Sequence, residues 1–147
     1  MSDIQDELAR EIVYDHYTRP RRKGSLGEGA TVLENPSCGD RLSLSLDEEE
    51  IESGCEACAV GFHFEGKGCS ISQASASMMA DLLSGRSREE AIGIAEAVLS
   101  VFRGDADPEV LDKYGDISAL GGVARLPVRV KCAALAWQGA LRLLRSG

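Results

Sequence analysis

The sequence lacks an apolar run of membrane-spanning length, and it begins with polar and acidic residues rather than with a signal peptide. It also lacks an excess of basic residues: 16 Lys and Arg stand against 24 Asp and Glu, which gives a formal net charge of −8. Such a surface repels the phosphates of nucleic acids. We therefore expect a cytoplasmic protein that meets other proteins and binds neither a membrane nor a nucleic acid.

Histidine is scarce and the cysteine count is odd, with 2 histidines and 5 cysteines. In a reducing cytosol, cysteines more often bind metals or take part in catalysis than form structural disulfides. A chain of 147 residues also buries about two-thirds of its unfolded surface, so its core needs no disulfide. We expect residues 1–147 to form one domain, with His16 and His63 at the surface or in partner contacts rather than acting as ligands.

The hydrophobic pattern predicts an α+β fold in which a three-stranded antiparallel sheet packs against several helices. The acidic run Asp47–Glu50 is expected to mark a turn, and Gly66–Gly68 to end the third strand. Ser70 or Ser72 is expected to cap the helix that follows. The predicted strands are Thr31–Leu33, Arg41–Leu46 and Ile51–Glu65, and the predicted helical regions are Ile4–Thr18, Ser70–Leu83, Ser87–Phe102, short turns within Gly104–Arg125, and Val128–Arg145.

Three cysteines and one aspartate form the most specific cluster in the sequence. Cys38 and Asp40 lie within the turn-forming run Asn-Pro-Ser-Cys-Gly-Asp. Cys69 follows a glycine-rich turn at a helix start, where unpaired amide groups and the helix dipole favour the thiolate. Cys132 lies in the last predicted helix. Each residue taken alone is an ordinary turn or core residue, but together they predict a shared four-coordinate metal site.

The ligand types indicate which metal such a site holds. Three thiolates and one carboxylate in a tetrahedron suit Zn²⁺, although iron or an iron–sulfur cluster fits the same ligand types. A purely structural zinc site usually has cysteine or histidine at all four positions. Because an aspartate is a harder and more exchangeable ligand for zinc, the mixed set of Cys38, Asp40, Cys69 and Cys132 is typical of a site that changes its coordination.

A second cysteine pair, Cys55 and Cys58, has the C-x-x-C spacing that often indicates a metal or redox site. Here the pair falls in a segment with a strand pattern, and residues three apart on a strand face opposite sides. No second pair follows it. We therefore expect Cys58 to be a core residue beside Val60 and Cys55 to be a thiol near a turn, with a functional pair as the alternative.

Several of these segments resemble the U-type iron–sulfur assembly proteins, in particular the SufU branch of the IscU-like family. The matching segments extend nearly from end to end of the chain, and the resemblance implies an IscU-like fold. They are Asp15-His16-Tyr17 with Pro20-Arg21 and Lys23-Gly24, Asn35-Pro36 with Cys38-Gly39-Asp40, Phe64-Glu65-Gly66 through Gly68-Cys69-Ser70-Ile71-Ser72 to Met79, and Lys131-Cys132-Ala133 with Trp137.

The resemblance implies a zinc-containing sulfur acceptor for a pyridoxal-phosphate-dependent, SufS-like cysteine desulfurase, working with downstream iron–sulfur assembly proteins. Cys38 matches the accepting, catalytic cysteine, and Asp40, Cys69 and Cys132 match its fellow zinc ligands. The implied activity is that of a zinc-dependent sulfurtransferase. Because zinc occupies the lone pairs of a bound thiolate, we hypothesise that docking of the desulfurase releases Cys38 from the ion.

Two features favour the SufU branch over the IscU scaffold. Lys131 stands where IscU-type proteins have a histidine before the third cysteine, and the segment Gly115–Gly122 resembles the SufU insertion. The alternatives are a scaffold on which a transient [2Fe–2S] cluster is assembled, and a structural zinc module that only binds partners. The candidate docking residues for the desulfurase, with a solvated helix end as the alternative interpretation, are Tyr14, His16, Tyr17 and Arg21–Lys23.

Overall fold

A computed structural model describes residues 3–24, 30–35, 39–50 and 58–145 of the chain. Within these ranges one helix precedes a three-stranded sheet and further helices follow it, which is the expected α+β architecture. None of the helices in the same ranges is long and apolar enough to cross a membrane. The elements are α1 (Asp3–Thr18), β1 (Thr31–Asn35), β2 (Asp40–Glu50), β3 (Cys58–Lys67), α2 (Ser70–Leu83), α3 (Arg88–Phe102), a 3₁₀ segment (Pro108–Arg125) and α4 (Pro127–Arg145).

The sheet is an antiparallel meander in the order β1-β2-β3. β2 is longer than expected, since it continues to Glu50 and pairs that residue with Cys58 of β3. The prediction of a turn at Asp47–Glu50 is therefore wrong. Residues 58–61 of β3 supply backbone partners for the acidic run, and this pairing overrides the low strand propensity of acidic side chains. The predicted start of the third strand, residues 51–57, lies outside the described residues.

Gly66 does not end β3, which continues to Lys67. It pairs with Leu42 of β2, and a Cβ at Gly66 would collide with the carbonyl oxygen of Arg41. The glycine is thus required for the close approach of two backbones, and the strand ends one residue before Gly68. This pairing brings the end of β3 beside the start of β2.

One face of the sheet forms the core beneath the helices. Leu44 of β2 and Phe62 and Phe64 of β3 are fully buried, as the alternating pattern predicts. α4 packs on this face so closely that a Cβ at Gly139 would lie 2.5 Å from Leu33 Cδ1 and 2.6 Å from Leu44 Cδ1. The small residue therefore brings the helix that carries the third candidate cysteine directly onto the sheet.

A buried hydrogen-bonded chain joins α2 to α4. Trp137 Nε1 donates to Ser75 Oγ at 2.9 Å, and Ser75 Oγ donates to the carbonyl oxygen of Ala133 at 2.6 Å. All three residues are buried, so these bonds satisfy polar groups that would be costly to leave unpaired. They also set the spacing between the two helices.

The ends of α2 and α3 follow the predicted signals with one exception. α2 stops before Gly85, whose φ of 89° is readily adopted by glycine, and Ser87 accepts a hydrogen bond from the N–H of Glu90 at the start of α3. The exception is the start of α2, where Cys69 is the N-cap residue and makes no side-chain capping bond. Ser72 Oγ instead donates to the Cys69 carbonyl oxygen at 3.0 Å, so the expected serine cap is wrong at both positions.

The segment expected to hold short turns is the 3₁₀ segment between α3 and α4. It is broken at Gly115, where φ is 83° and ψ is −129°. Asp107 opens the segment by accepting a hydrogen bond from the N–H of Glu109 at 2.9 Å. The break lets the residues after it turn toward α1.

The expectation that His16 lies at the surface or in partner contacts is wrong, because its side chain is fully buried. Its Nδ1 lies 2.7 Å from Ser77 Oγ of α2, and its Nε2 lies 2.8 Å from Asp116 Oδ2 of the 3₁₀ segment. Asp116 is 100 positions away in the chain, so the sequence around the histidine could not reveal it. The imidazole joins three elements that are separate in the sequence.

Candidate metal centre

The structure brings together three of the four predicted ligands. The ligand atoms of Asp40, Cys69 and Cys132, one carboxylate oxygen and two sulfurs, all lie within 4.8 Å of one another. Each residue belongs to a different part of the fold: Asp40 opens β2, Cys69 precedes α2 and Cys132 lies near the start of α4. The cluster therefore marks the point where the sheet and two helices meet.

Burial differs among the three side chains. Cys132 is fully buried and Asp40 is 1% exposed, whereas Cys69 is partly exposed. A buried carboxylate is costly unless hydrogen bonds or a cation compensate its charge. Solvent therefore reaches the three-residue cluster at the side chain of Cys69.

The two carboxylate oxygens of Asp40 have different surroundings. Oδ1 accepts a hydrogen bond from the backbone N–H of Cys69 at 3.0 Å. Oδ2 is buried and has no hydrogen-bond partner among the described residues. Native proteins rarely leave such an atom unsatisfied unless an ion or a water binds there. One carboxylate oxygen beside two thiols is a donor set that fits Zn²⁺.

The fourth predicted ligand, Cys38, lies outside the described residues. The residues that follow it are described: Gly39 is exposed and Asp40 is buried. The chain therefore passes from the surface into the cluster directly after Cys38.

Two residues that are not ligands, Gly68 and Ser72, pack against the cluster, and the sequence pattern did not predict this role for them. A Cβ at Gly68 would lie 2.5 Å from Ser72 Oγ and would also collide with Asp40 Oδ1. The sequence pattern placed Gly68 at the end of the third strand, directly before Cys69, and Ser72 in a helix cap. That position does not distinguish a turn glycine from a glycine that is required for space.

The second cysteine pair is not assigned by the structure. Cys55 lies outside the described residues, and the side chain of Cys58 does as well, so the expectations for both stay predictions. The backbone of Cys58 opens β3 opposite Glu50. His63 is half-buried on β3 and is not part of the three-residue group.

The basic stretch after α1 lies along the outer edge of β3. The N–H of Gly24 donates to the Phe64 carbonyl oxygen at 2.8 Å, and the N–H of Phe64 donates to the Arg22 carbonyl oxygen at 3.2 Å. Arg22 Nε also donates to the Phe62 carbonyl oxygen at 2.8 Å. These bonds cover part of the strand edge and direct the Arg22 side chain onto the protein rather than into solvent.

Arg21 is paired within the chain. Its Nη2 lies 2.6 Å from Asp15 Oδ2, and Arg19 Nη2 lies 2.6 Å from Asp15 Oδ1. The hydrogen bond from Arg21, supported by Arg19, lowers the pKa of the Asp15 carboxyl below its ordinary value. The carboxylate is therefore charged at neutral pH and holds Arg21 against α1.

An apolar groove of about 460 Å³ lies beside the cluster, bounded by α1, the start of α2 and the end of the 3₁₀ segment. Tyr14 and Tyr17 of α1 line it and are 68% and 46% exposed. Ser70 and Ile71, which directly follow Cys69 in the chain, line its other side. The groove therefore begins one residue after Cys69 in the chain, although none of the three clustered residues lines it.

Comparison with known proteins adds independent findings. A family model for the NifU-like N-terminal domain matches residues 8–133. The chain is similar to the zinc-dependent sulfurtransferase SufU of Bacillus subtilis, with 40% identity over 136 residues that cover 90% of this chain and 86% of that protein. It is also similar to the iron–sulfur cluster assembly scaffold protein IscU of Streptococcus pyogenes, with 40% identity over 135 residues that cover 90% of this chain and 79% of that protein.

Solved structures share the fold. The crystal structure of a putative iron–sulfur cluster assembly scaffold protein for the SUF system, from Fervidobacterium islandicum, superposes with a TM-score of 0.73 at 28% identity, covering 91% of this chain and 94% of that one. A crystal structure of a hypothetical protein superposes with a TM-score of 0.79 at 34% identity, covering 95% and 98% of the two chains. The three-stranded sheet with its helices is therefore the architecture of a SufU-like protein.

Proposed function

This chain belongs to the NifU-like N-terminal domain family as a SufU/IscU-type member, and we propose that it works as a zinc-dependent sulfurtransferase subunit. It takes persulfide sulfur from a pyridoxal-phosphate-dependent, SufS-like cysteine desulfurase, in the cytosol, for iron–sulfur cluster biogenesis by downstream assembly proteins. The observation that carries this proposal is the buried, unpartnered Asp40 Oδ2 beside the sulfurs of Cys69 and Cys132. The similarity to a SufU named as a zinc-dependent sulfurtransferase supports it.

Four residues would hold the zinc: Asp40, Cys69 and Cys132 from the cluster, and Cys38 from the preceding segment. Zinc, when bound, keeps coordinating thiols in the deprotonated form. The thiols of Cys69 and Cys132 are partly and fully buried, which suits them to hold the ion rather than to reach a partner's persulfide. Cys38 precedes the exposed Gly39, so we assign the acceptor role to Cys38.

The transfer step balances as a thiol–persulfide exchange. The Cys38 thiolate attacks the terminal sulfur of the persulfide on the desulfurase cysteine. A bond forms between Cys38 Sγ and that sulfur, the sulfur–sulfur bond on the desulfurase breaks, and the desulfurase cysteine leaves as a thiolate. Zinc, if it held Cys38, would withdraw electron density from that thiolate and blunt its attack, so docking of the desulfurase would release Cys38 from the ligand set before transfer.

The groove that contains Tyr14 and Tyr17 is the proposed docking surface for the desulfurase. Ser70, the residue directly after Cys69, lines the same groove, and this proximity in the chain supports the choice of surface. Exposed tyrosines beside an apolar groove are typical of interface hot spots. His16 drops out of the candidate docking residues because it is buried, and Arg21 and Arg22 are engaged within the chain.

A scaffold for a transient [2Fe–2S] cluster is the second candidate function. The 40% identity to the Streptococcus pyogenes IscU, a scaffold protein, favours it. One feature counts against it: Lys131 stands at the position where scaffold-type members have a histidine. The Lys131 side chain is exposed, whereas that of Cys132 is buried. The third alternative, a structural zinc module, requires no reactive cysteine at all.

The test is mass spectrometry of the zinc-loaded protein after incubation with its cysteine desulfurase and cysteine. The wild-type chain and a Cys55→Ser/Cys58→Ser control are expected to gain one sulfur atom on the peptide that contains Cys38, and to lose it on reduction. Cys38→Ala is expected to bind the desulfurase but to gain no sulfur. If no cysteine gains sulfur while the desulfurase is active, the sulfurtransferase proposal is wrong. Assembly of a [2Fe–2S] absorption band on addition of ferrous iron would then favour the scaffold.

A further inference from the structure

We infer that Gly68 is a positioning residue for the metal centre. Because Gly68 has no side chain, one carboxylate oxygen of Asp40 can accept a hydrogen bond at the start of α2 while the other oxygen is left for the ion. This inference rests on the metal site of the proposed function. It does not depend on sulfur transfer. Its outcome can therefore be separated from that of the sulfurtransferase proposal.

The space around Gly68 shows why a glycine is needed there. A Cβ at this position would collide with Asp40 Oδ1 and would lie 3.0 Å from Asp40 Cγ and 2.5 Å from Ser72 Oγ. Asp40 is 1% exposed and Ser72 is fully buried, so neither side chain has open solvent into which it can move. Any larger residue at position 68 therefore displaces the carboxylate.

Conformational freedom does not explain this glycine. The backbone at Gly68 is not in the positive-φ region, whereas Gly66 and Gly85 have φ values of 153° and 89°. An alanine can adopt the backbone conformation of Gly68, but its Cβ cannot occupy the space. Glycine is therefore required at position 68 for steric reasons, because a Cβ there would collide with Asp40.

Gly68 leaves room for a hydrogen bond between the candidate ligand Asp40 and the start of α2. Cys69 is the N-cap residue of α2 and its own side chain makes no capping bond. The carboxylate of Asp40, which comes from β2, accepts the backbone N–H of Cys69 in its place. A carboxylate at this end of a helix is also stabilised by the helix dipole.

The two carboxylate oxygens of Asp40 therefore have different roles. Oδ1 is held by the Cys69 N–H, and Oδ2 is the buried oxygen without a partner among the described residues. Asp40 therefore offers the metal a single oxygen, held in place by the backbone of the next ligand, Cys69. Positioning of this kind commonly changes metal affinity by about 10- to 100-fold when it is removed.

The first test compares Gly68→Ala with Gly93→Ala, a control at which a Cβ would meet nothing within 4 Å. Zn²⁺ affinity is measured by competition with a chromophoric chelator, and backbone amide exchange at Cys69 is measured in the metal-free protein. Gly68→Ala is expected to weaken Zn²⁺ binding by about 10- to 100-fold and to speed exchange at Cys69 by roughly tenfold or more. Gly93→Ala is expected to change neither quantity.

A second pair of variants keeps the inference testable if Gly68→Ala folds poorly. Asp40→Asn retains an oxygen that can accept the Cys69 N–H, whereas Asp40→Ala does not. In the metal-free protein only Asp40→Ala is expected to speed exchange at Cys69, although both variants weaken Zn²⁺ binding. Equal exchange at Cys69 in the wild type and Asp40→Ala overturns the inference. So does wild-type Zn²⁺ affinity in a folded Gly68→Ala.

Discussion

His16 Nε2 lies 2.8 Å from Asp116 Oδ2, and this contact ties α1 to the 3₁₀ segment across 100 positions of the chain. Because a carboxylate only accepts hydrogen bonds, Nε2 is the donor. The other ring nitrogen contacts Ser77 of α2, whose Oγ also accepts the N–H of Arg21 at 2.8 Å. α1, α2 and the 3₁₀ segment all bound the apolar groove, and this buried histidine contacts α2 and the 3₁₀ segment from α1.

His16→Ala is expected to lower the free energy of unfolding by about 2–3 kcal/mol, because it removes a buried side chain and leaves the Ser77 hydroxyl without that partner. Asp116→Asn is expected to cost less than about 1 kcal/mol, since this carboxylate is half exposed. Urea unfolding measures both. Asp112→Asn, an exposed change in the same segment, is the control. Equal stability of His16→Ala and the wild type would show that the histidine does not hold the three elements together.

Gly139→Ala is expected to destabilise the protein by about 1–3 kcal/mol, because the added methyl group overpacks Leu33 and Leu44 beneath α4. Alanine has the higher intrinsic helix propensity, so propensity alone predicts the opposite sign. Gly93→Ala in α3, which meets nothing, is expected to stabilise by up to about 1 kcal/mol. Thermal or urea unfolding of the two variants decides whether packing or propensity dominates at position 139.

Asp15 is expected to titrate below the ordinary range of an aspartate, because Arg21 and Arg19 bind its ionised form. A lowered folded-state pKa means that the ion pair stabilises the protein fully above about pH 4. That contribution is lost as the pH falls through the lowered value. The carboxyl carbon shift of Asp15, followed by NMR, measures this. Arg21→Gln is expected to raise the Asp15 pKa and Arg103→Gln to leave it unchanged; no response to Arg21→Gln would contradict the assignment.

Tyr17→Ala is expected to weaken association with the cysteine desulfurase by about tenfold or more if the groove is the docking surface. Leu8→Ala is the matched control, because Leu8 is a 52% exposed apolar residue of the same helix and does not line the groove. Isothermal titration with the desulfurase measures both affinities. Comparable losses in the two variants would remove the groove from the interface. Arg21→Glu tests the adjoining basic stretch in the same assay, and an unchanged affinity would remove Arg21 from the interface.

The sequence by itself determined the elements whose signals are local. Alternating Leu and Phe residues predicted which side of β2 and β3 is buried, and the Ser87 capping box predicted the start of α3. The helix Ser70–Leu83 matches its predicted bounds. These features depend on periodicity and on neighbours a few residues away, which is why residue order alone is sufficient to predict them.

The ligand types of the candidate site were also readable from the sequence, because thiols and a carboxylate in turn and helix-start contexts have a recognisable chemistry. What the sequence could not supply was their relation in space. The structure places Asp40, Cys69 and Cys132 within one group and leaves one buried oxygen of Asp40 without a hydrogen-bond partner among the described residues.

Tertiary structure alone decided three further matters: that the acidic run Asp47–Glu50 is strand, that His16 is buried, and that Gly68 is needed for space. In each case the deciding partner is distant in the chain: β3 for the acidic run, Asp116 for the histidine and Asp40 for the glycine. Local propensities differ by only about 1 kcal/mol per residue. A backbone partner, a buried hydrogen bond or a steric collision supplied by a remote residue overrides them, and residue order does not reveal which remote residue it is.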